Sequence, residues 1–200
     1  MNDSHVRQRA GELLVQSGGT CPNLLNDVLA RFLPLARDLP ASERHHHRWP
    51  FGLLEHSLEV ALGTLTRISV AARQSDLVAR LLAPTLAVAL LHDLGKVFDV
   101  DPGCPMGRSW RRGRGFLGHP DQAGLILTLI PKEWAAPVWA IADRYDTRFR
   151  RPRPPEDPPL DFLAVAIARA DGQSAWQGRI QHPNHGQYLR QLISSPEVAA

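Results

Sequence analysis

Cysteine is scarce in this sequence. Cys21 and Cys104 lie far apart, and neither belongs to a CxxC pair. This usage is typical of unpaired thiols in a reducing compartment. It argues against a disulfide framework and against a cysteine-ligated zinc site.

Long apolar runs and targeting segments are also missing. No uninterrupted run reaches the roughly 18 to 20 apolar residues that a membrane span needs. The N-terminus lacks the basic-then-apolar order of a secretory signal, and the chain contains no Walker or Rossmann glycine loop and no internal repeat. We therefore expect a cytoplasmic protein with no membrane partner and no nucleotide-binding P-loop.

Lysine is rare, so arginine supplies nearly all of the 23 basic residues that, against 20 acidic ones, give a net charge of +3. The arginines are clustered around aromatic residues: residues 108–114 surround Trp110, and residues 148–153 surround Phe149. Arginine with an interleaved aromatic suits contacts with phosphates and stacking on bases. The alternative is a solvated loop that happens to be rich in arginine.

Apolar residues recur at helical spacing, and almost nothing alternates with the period of two that a half-buried strand shows. We predict an all-α fold with a core over residues 49–180, N-terminal helices over 1–48 that pack on it, and a C-terminal helix and tail over 181–200. Pro84 is expected to begin a central, buried helix. The Gly- and Pro-rich residues 99–118 are expected to form a long functional loop.

Polar residues interrupt the apolar helical patterns at three places. His56 follows one apolar run, His92 and Asp93 follow a second, and Asp171 follows a third. Burying such groups is unfavourable unless they are paired or coordinate a metal. If the three helices pack in one core, their polar ends can meet at a single point.

Two imidazoles and two carboxylates form a donor set for a divalent cation such as Mn²⁺, Fe²⁺, Zn²⁺ or Mg²⁺. A cation bound in this way acidifies its water enough to attack a phosphorus centre near neutral pH. Taken singly, a histidine on an apolar helix is more often a hydrogen-bonded core residue, and a buried aspartate is more often a cap or an ion-pair partner. The combination of the four favours a metal site.

These residues, with "LLHDLGK" around the doublet, resemble the HD superfamily of metal-dependent phosphohydrolases, an all-α helical bundle, over roughly residues 50–176. The resemblance implies that His56, His92, Asp93 and Asp171 are metal ligands. It also implies that Asp93 is catalytic and that Lys96 lies near the metal and neutralises substrate phosphate.

The resemblance adds one candidate for a second ion. His119, in "GHPDQAG", resembles a ligand of the second metal in dinuclear members of the superfamily. The adjacent histidine pair often found in the following segment is absent, with Asp143 or Asp146 as possible substitutes. One or two bound ions are therefore both open.

The segments "LPASERHHHRWPFGLLEHSLEVA", "LLHDLGKVFDV" and "ARADGQSA" together are similar to the N-terminal HD domain of conjugal-transfer nickase/helicase proteins, the H-class relaxases of the TraI type. A looser similarity is to HD-type 3′→5′ exoribonucleases. The resemblance implies a nuclease or nickase that acts on nucleic acid, expected to be single-stranded DNA, within conjugation or mobile-element machinery. Further expected substrate contacts are His45, His46, His47, Arg111, Arg112 and Arg114, with His47 also a catalytic candidate.

Two other functions remain open at this stage. One is hydrolysis of small nucleotides, with the long loop closing over the substrate. The other is a degenerate HD domain that only binds or assembles. The histidine triplet itself could also be an ordinary polar loop.

Overall fold

The computed structural model describes residues 22–42, 46–97, 100–101, 109–110, 122–148 and 157–181, together with residues 8, 10–13 and 15. Helices dominate these residues, and the predicted all-α fold is confirmed. The expected contacts His45, Arg111, Arg112 and Arg114, and the candidate ligand His119, lie outside the described residues.

Within the described part of the chain beyond residue 15, six α-helices form the body of the fold: α1 (Pro22–Ala36), α2 (Gly52–Gln74), α3 (Asp76–Leu91), α4 (Gln122–Leu127), α5 (Ala135–Arg148) and α6 (Pro158–Gln181). Short 3-10 helices follow α3 at Leu94–Val97 and precede α5 at Lys132–Trp134. Two strands of two residues, β1 (Val100–Asp101) and β2 (Ser109–Trp110), pair antiparallel within the stretch that the sequence predicts as a loop.

Helix α3 is the centre of the core. It contacts α1, α2, α5 and α6, and nearly every residue from Leu82 to Leu91 is buried. The segment Asp76–Val97 is long and apolar enough to cross a membrane, but 78% of its most apolar window is buried inside the fold. Such burial is what a central core helix shows.

The start of α3 differs from the sequence prediction. Pro84 lies inside the helix, which begins two turns earlier at Asp76. The Ser75 side chain accepts a hydrogen bond from the backbone N–H of Val78 at 3.4 Å, and serine is among the preferred residues at a helix N-terminus. A serine cap in front of an acidic first turn therefore outweighs the preference of proline for a first helical position.

Candidate metal centre

Two histidines from different helices face each other in the core. His56 lies in the second turn of α2, and His92 is the residue that ends α3. Their Nε2 atoms are 3.3 Å apart, and each residue is only 1% exposed. The packing of α2 on α3 therefore brings the two imidazoles to one point.

Two carboxylates complete the cluster. Asp93 Oδ2 lies 3.5 Å from the Nε2 atoms of both His56 and His92. Asp171, from the middle of α6, places Oδ1 at 3.2 Å from His56 Nε2 and 3.7 Å from His92 Nε2. Three helical segments thus supply four side chains with their donor atoms directed at a common centre.

The helical origin of these residues corrects one detail of the sequence prediction. His56 does not end a helix but lies near the start of α2, and Asp171 lies within α6, which continues to Gln181. Only His92 and Asp93 stand at a helix end. The cluster forms because the sides of α2 and α6 pack beside the end of α3, rather than because three helix ends meet.

The second nitrogen of each ring is already held. His92 Nδ1 lies 2.8 Å from the backbone oxygen of Ala89, and this oxygen can only accept, so Nδ1 carries a proton. His56 Nδ1 lies 2.9 Å from the hydroxyl of Ser174. This arrangement leaves Nε2 of both rings facing the carboxylates, the orientation in which histidine binds a metal.

The donor set fits a divalent cation. Five donor pairs among the four side chains are separated by 3.2–3.7 Å. Bonds of about 2.1 Å would put tetrahedral neighbours about 3.4 Å apart and cis octahedral neighbours about 3.0 Å apart. Two imidazole nitrogens and two carboxylate oxygens also match the ligand preferences of Mn²⁺, Fe²⁺ and Zn²⁺.

In the metal-free cluster the electrostatics favour a positively charged His92 beside negatively charged Asp93 and Asp171. Burial opposes the charge of His92, but Asp93 and the hydrogen bond with Asp171 outweigh it and raise the pKa of His92 to about 9. Burial lowers the pKa of His56, although the Asp171 carboxylate beside it acts in the opposite direction. The two histidines that face Asp171 lower the pKa of its carboxyl well below its ordinary value, although its burial acts in the opposite direction. In the metal-free protein Nε2 of His92 therefore carries a proton at the place where a cation would bind.

Lys96 and Tyr145 border the cluster. Lys96 forms a buried ion pair with Asp93, and this cation, together with the histidines, lowers the pKa of Asp93 to about 2 although its burial acts in the opposite direction. The Tyr145 hydroxyl donates to Asp171 Oδ2 at 3.4 Å, and burial raises the pKa of that hydroxyl well above its ordinary value. Lys96 therefore lies in direct contact with one of the proposed ligands.

The two described members of the histidine triplet lie beside His56. The half-buried ring of His46 is 4.7 Å from the ring of His56, centroid to centroid. Burial, with His56 and Lys96, lowers the pKa of His46 to about 3, so its ring is neutral at ordinary pH. His47 is 1% exposed, and its Nε2 lies 3.2 Å from Glu59 Oε2.

Several contacts around the cluster were not anticipated from the sequence. Ser174, Glu59 and Tyr145 each touch a member of the cluster or its immediate neighbours. The spacing of two of them could have been used for prediction. Glu59 is three residues after His56 and Ser174 is three after Asp171, and residues three apart share a helix face. Asp146, a candidate for a second metal, accepts a hydrogen bond from the backbone N–H of Ala123 at 3.3 Å.

The side chains of the described residues form three groups with metal-binding geometry: His56 with His92 and Asp93, His46 with His47 and His56, and His47 with Glu55 and Glu59. The first is the cluster described above, to which Asp171 adds a further donor. The other two adjoin it on the side of the histidine triplet.

Comparison with known proteins gives one match. No curated protein and no solved structure is significantly similar to the chain. A family model does match residues 21–124, more than half of the chain, and this segment contains His56, His92 and Asp93. The chain therefore belongs to the TraI_2 family, which is described as "Putative helicase".

Proposed function

We propose that this chain is a metal-dependent phosphodiester hydrolase of the HD type that acts on nucleic acid during conjugative transfer. The observation that carries the proposal is the convergence of His56, His92, Asp93 and Asp171, for which five pairs of donor atoms lie 3.2–3.7 Å apart in the core. Burying two carboxylates and two imidazoles at one point is unfavourable unless a cation or a shared proton compensates them.

The chemistry of hydrolysis would come from the cation. When bound, a divalent ion supplies a Lewis acid and an acidified water for attack on phosphorus. His56 and His92 would hold it through imidazoles whose Nδ1 atoms are already hydrogen-bonded. Lys96, buried beside Asp93, supplies a positive charge that can stabilise the phosphate oxygens. Neutral His46, half-buried beside His56, is positioned to contact the substrate at the edge of the cluster.

Nucleic acid is the favoured substrate for two reasons. The family description refers to helicases, which act on nucleic acid. Residues 108–114 and 148–153 supply arginines interleaved with aromatics, a combination that suits single strands. A helicase motor needs a nucleotide-binding loop, and these 200 residues contain no Walker motif, so we assign hydrolysis rather than strand unwinding to this segment.

Cleavage of labelled substrates tests the proposal. We expect purified protein with Mn²⁺ to cleave single-stranded DNA or RNA, and Asp93→Asn to be inactive. Asp161→Asn is the matched control, because Asp161 pairs with Arg144 between α5 and α6 away from the cluster. Equal product from wild type and Asp93→Asn would contradict the proposal.

The same assay separates the other two functions. Release of phosphate from mononucleotides, with nucleic acid left intact, would indicate a small-molecule phosphohydrolase. Binding of single-stranded DNA with no metal and no cleavage would indicate a binding module of the conjugation machinery.

A further inference from the structure

We propose that Glu59 is a positioning residue, which fixes the ligand His56 through Ser174 and is itself held in place by His47. The inference rests on the proposed function, because it explains how the metal ligand is oriented. It also assigns His47 to a contact with Glu59 instead of a direct contact with substrate.

The direction of the hydrogen bonds follows from Glu59. A carboxylate only accepts, so the Ser174 hydroxyl donates to Glu59 Oε2 at 2.7 Å. Since that hydroxyl has one proton, it must accept from His56 Nδ1, which lies 2.9 Å away. In the neutral ring His56 therefore carries its proton on Nδ1, and its Nε2 lone pair faces Nε2 of His92 and the place where a cation would bind. Metal-binding histidines are commonly oriented by a carboxylate in this way, and here a serine hydroxyl lies between the two.

His47 holds the other side of the carboxylate. Its Nε2 lies 3.2 Å from the same Oε2 atom, so this nitrogen also donates. In the neutral ring Nδ1 is then an acceptor, and it faces His46 Nδ1 at 3.1 Å. These contacts lower the pKa of Glu59 although its burial acts in the opposite direction. Glu59 thus contacts His47 directly, His56 through Ser174, and His46 through His47.

The backbone around His47 is shaped to hold this ring. His47 has a left-handed conformation with φ of 46°, which is rare for residues other than glycine, and its oxygen accepts from the Ala41 N–H at 2.9 Å. A Cβ at Gly52 would lie 2.0 Å from that oxygen. A Cβ at Gly178, on α6, would lie 2.6 Å from Nδ1 and Cε1 of the ring. Glycine at both places therefore leaves the space that the buried histidine occupies.

The same atoms could in principle hold a metal, because His47, Glu55 and Glu59 lie close enough together. Oε2 of each glutamate, however, already has hydrogen-bond donors: the Trp49 indole donates to Glu55 Oε2 at 2.7 Å, and Ser174 and His47 donate to Glu59 Oε2. A cation there would have to displace these donors, so we favour the positioning role.

Metal affinity measured by competition with a chelating dye tests the inference. We expect Ser174→Ala to bind Mn²⁺ about 10-fold to 100-fold more weakly than wild type, the range typical of a lost oriented partner. Ser57→Ala is the matched control. Ser57 is a buried serine next to His56 on α2, and its hydroxyl has no hydrogen-bond partner among the described residues. It should leave affinity unchanged, and wild-type affinity in Ser174→Ala would overturn the inference.

Three further variants address His47 without touching the ligands. His47→Gln keeps an N–H donor near the position of Nε2 and should retain affinity, whereas His47→Leu should lose it to the same extent as Ser174→Ala. Gly178→Ala should reproduce the loss by displacing the ring. The positioning role is wrong if His47→Gln and His47→Leu have the same metal affinity. It is also wrong if the wild type binds two equivalents of metal and Glu59→Leu binds only one.

The tautomer of His56 supplies a readout that does not require metal. In ¹⁵N-histidine spectra of metal-free protein, we expect a proton on Nδ1 of His56 in wild type and in Ser57→Ala, and a mixture of tautomers in Ser174→Ala. If the wild type shows a fixed His56 tautomer but binds no metal, the proposed function is wrong and the inference about Glu59 stands. A tautomer mixture in wild type would overturn the inference alone.

Discussion

The Nε2 atoms of His56 and His92 lie 3.3 Å apart although the residues are 36 positions apart in sequence. Their Nδ1 atoms are bonded to Ser174 and to the oxygen of Ala89, so neither ring can turn without losing a hydrogen bond. The two nitrogens are therefore oriented before any cation arrives, which lowers the reorganisation that binding requires.

Removing one ligand should abolish tight metal binding. We expect Asp171→Ala to retain far less Mn²⁺ than wild type after desalting, because it deletes the donor nearest to His56. Asp161→Asn, on the same helix but in a partly exposed pair with Arg144, should retain the wild-type amount. Metal content measured by elemental analysis decides, and equal content in wild type and Asp171→Ala would contradict the site.

Metal affinity should rise with pH. The pKa of His92, raised to about 9 by Asp93 and the hydrogen bond with Asp171 against its burial, means that His92 is protonated below that pH in the metal-free protein. A cation must displace this proton, so affinity should rise by up to about tenfold per pH unit between pH 6.5 and 8.5. Titrations in two buffers of different ionisation enthalpy measure the proton released, and a pH-independent affinity would contradict the expectation.

Lys96 should affect turnover more than metal binding. In Lys96→Met the cation beside Asp93 is lost, so Asp93 becomes freer to bind metal. We expect metal affinity to be kept while kcat/KM on the cleaved substrate falls about 100-fold, as for removal of one stabilising donor. Parallel loss of metal and activity would instead mean that Lys96 maintains the cluster.

The Trp49 indole should stabilise the fold. It donates to Glu55 Oε2 at 2.7 Å in a buried position. Trp49→Phe keeps the aromatic packing but removes this donor, and we expect the free energy of unfolding to fall by about 1–3 kcal/mol. Trp139→Phe, at a side chain 45% exposed, should change it little. Urea denaturation of both variants gives the comparison.

The arginines around Trp110 should contribute to strand binding. Replacing Arg111 and Arg112 by alanine should weaken binding of single-stranded DNA and reduce the slope of log K against log salt by about 1.4, the value for two phosphate contacts. An unchanged slope in fluorescence anisotropy would mean that this segment does not contact phosphate.

The helices could be predicted from the sequence because their apolar periodicity is strong. The apolar pattern that starts near Phe51 coincides with α2, and α1 begins at Pro22, a residue type that suits a first helical position. The start of α3 could not be placed correctly, because a proline in a long apolar segment is compatible with either a first turn or an interior position that tertiary packing tolerates.

The donor residues could be predicted because polar groups in apolar helices are conspicuous, but their contacts could not. Whether His47 faces substrate or Glu59 depends on a left-handed backbone at His47 and on empty space at Gly178. Both are properties of packing between segments far apart in the chain, and local patterning does not encode them.

Helix α6 has a practical consequence for how this family is delimited. The family match ends at residue 124, yet Asp171, Ser174 and Gly178 all lie beyond that boundary. A fragment cut to the matched region would keep His56, His92 and Asp93 and lose the carboxylate and the hydroxyl that act on them. If such a fragment failed to bind metal, the result would apply only to an incomplete centre. A homologue should be expected to form the full centre only if a helix equivalent to α6 follows its matched region.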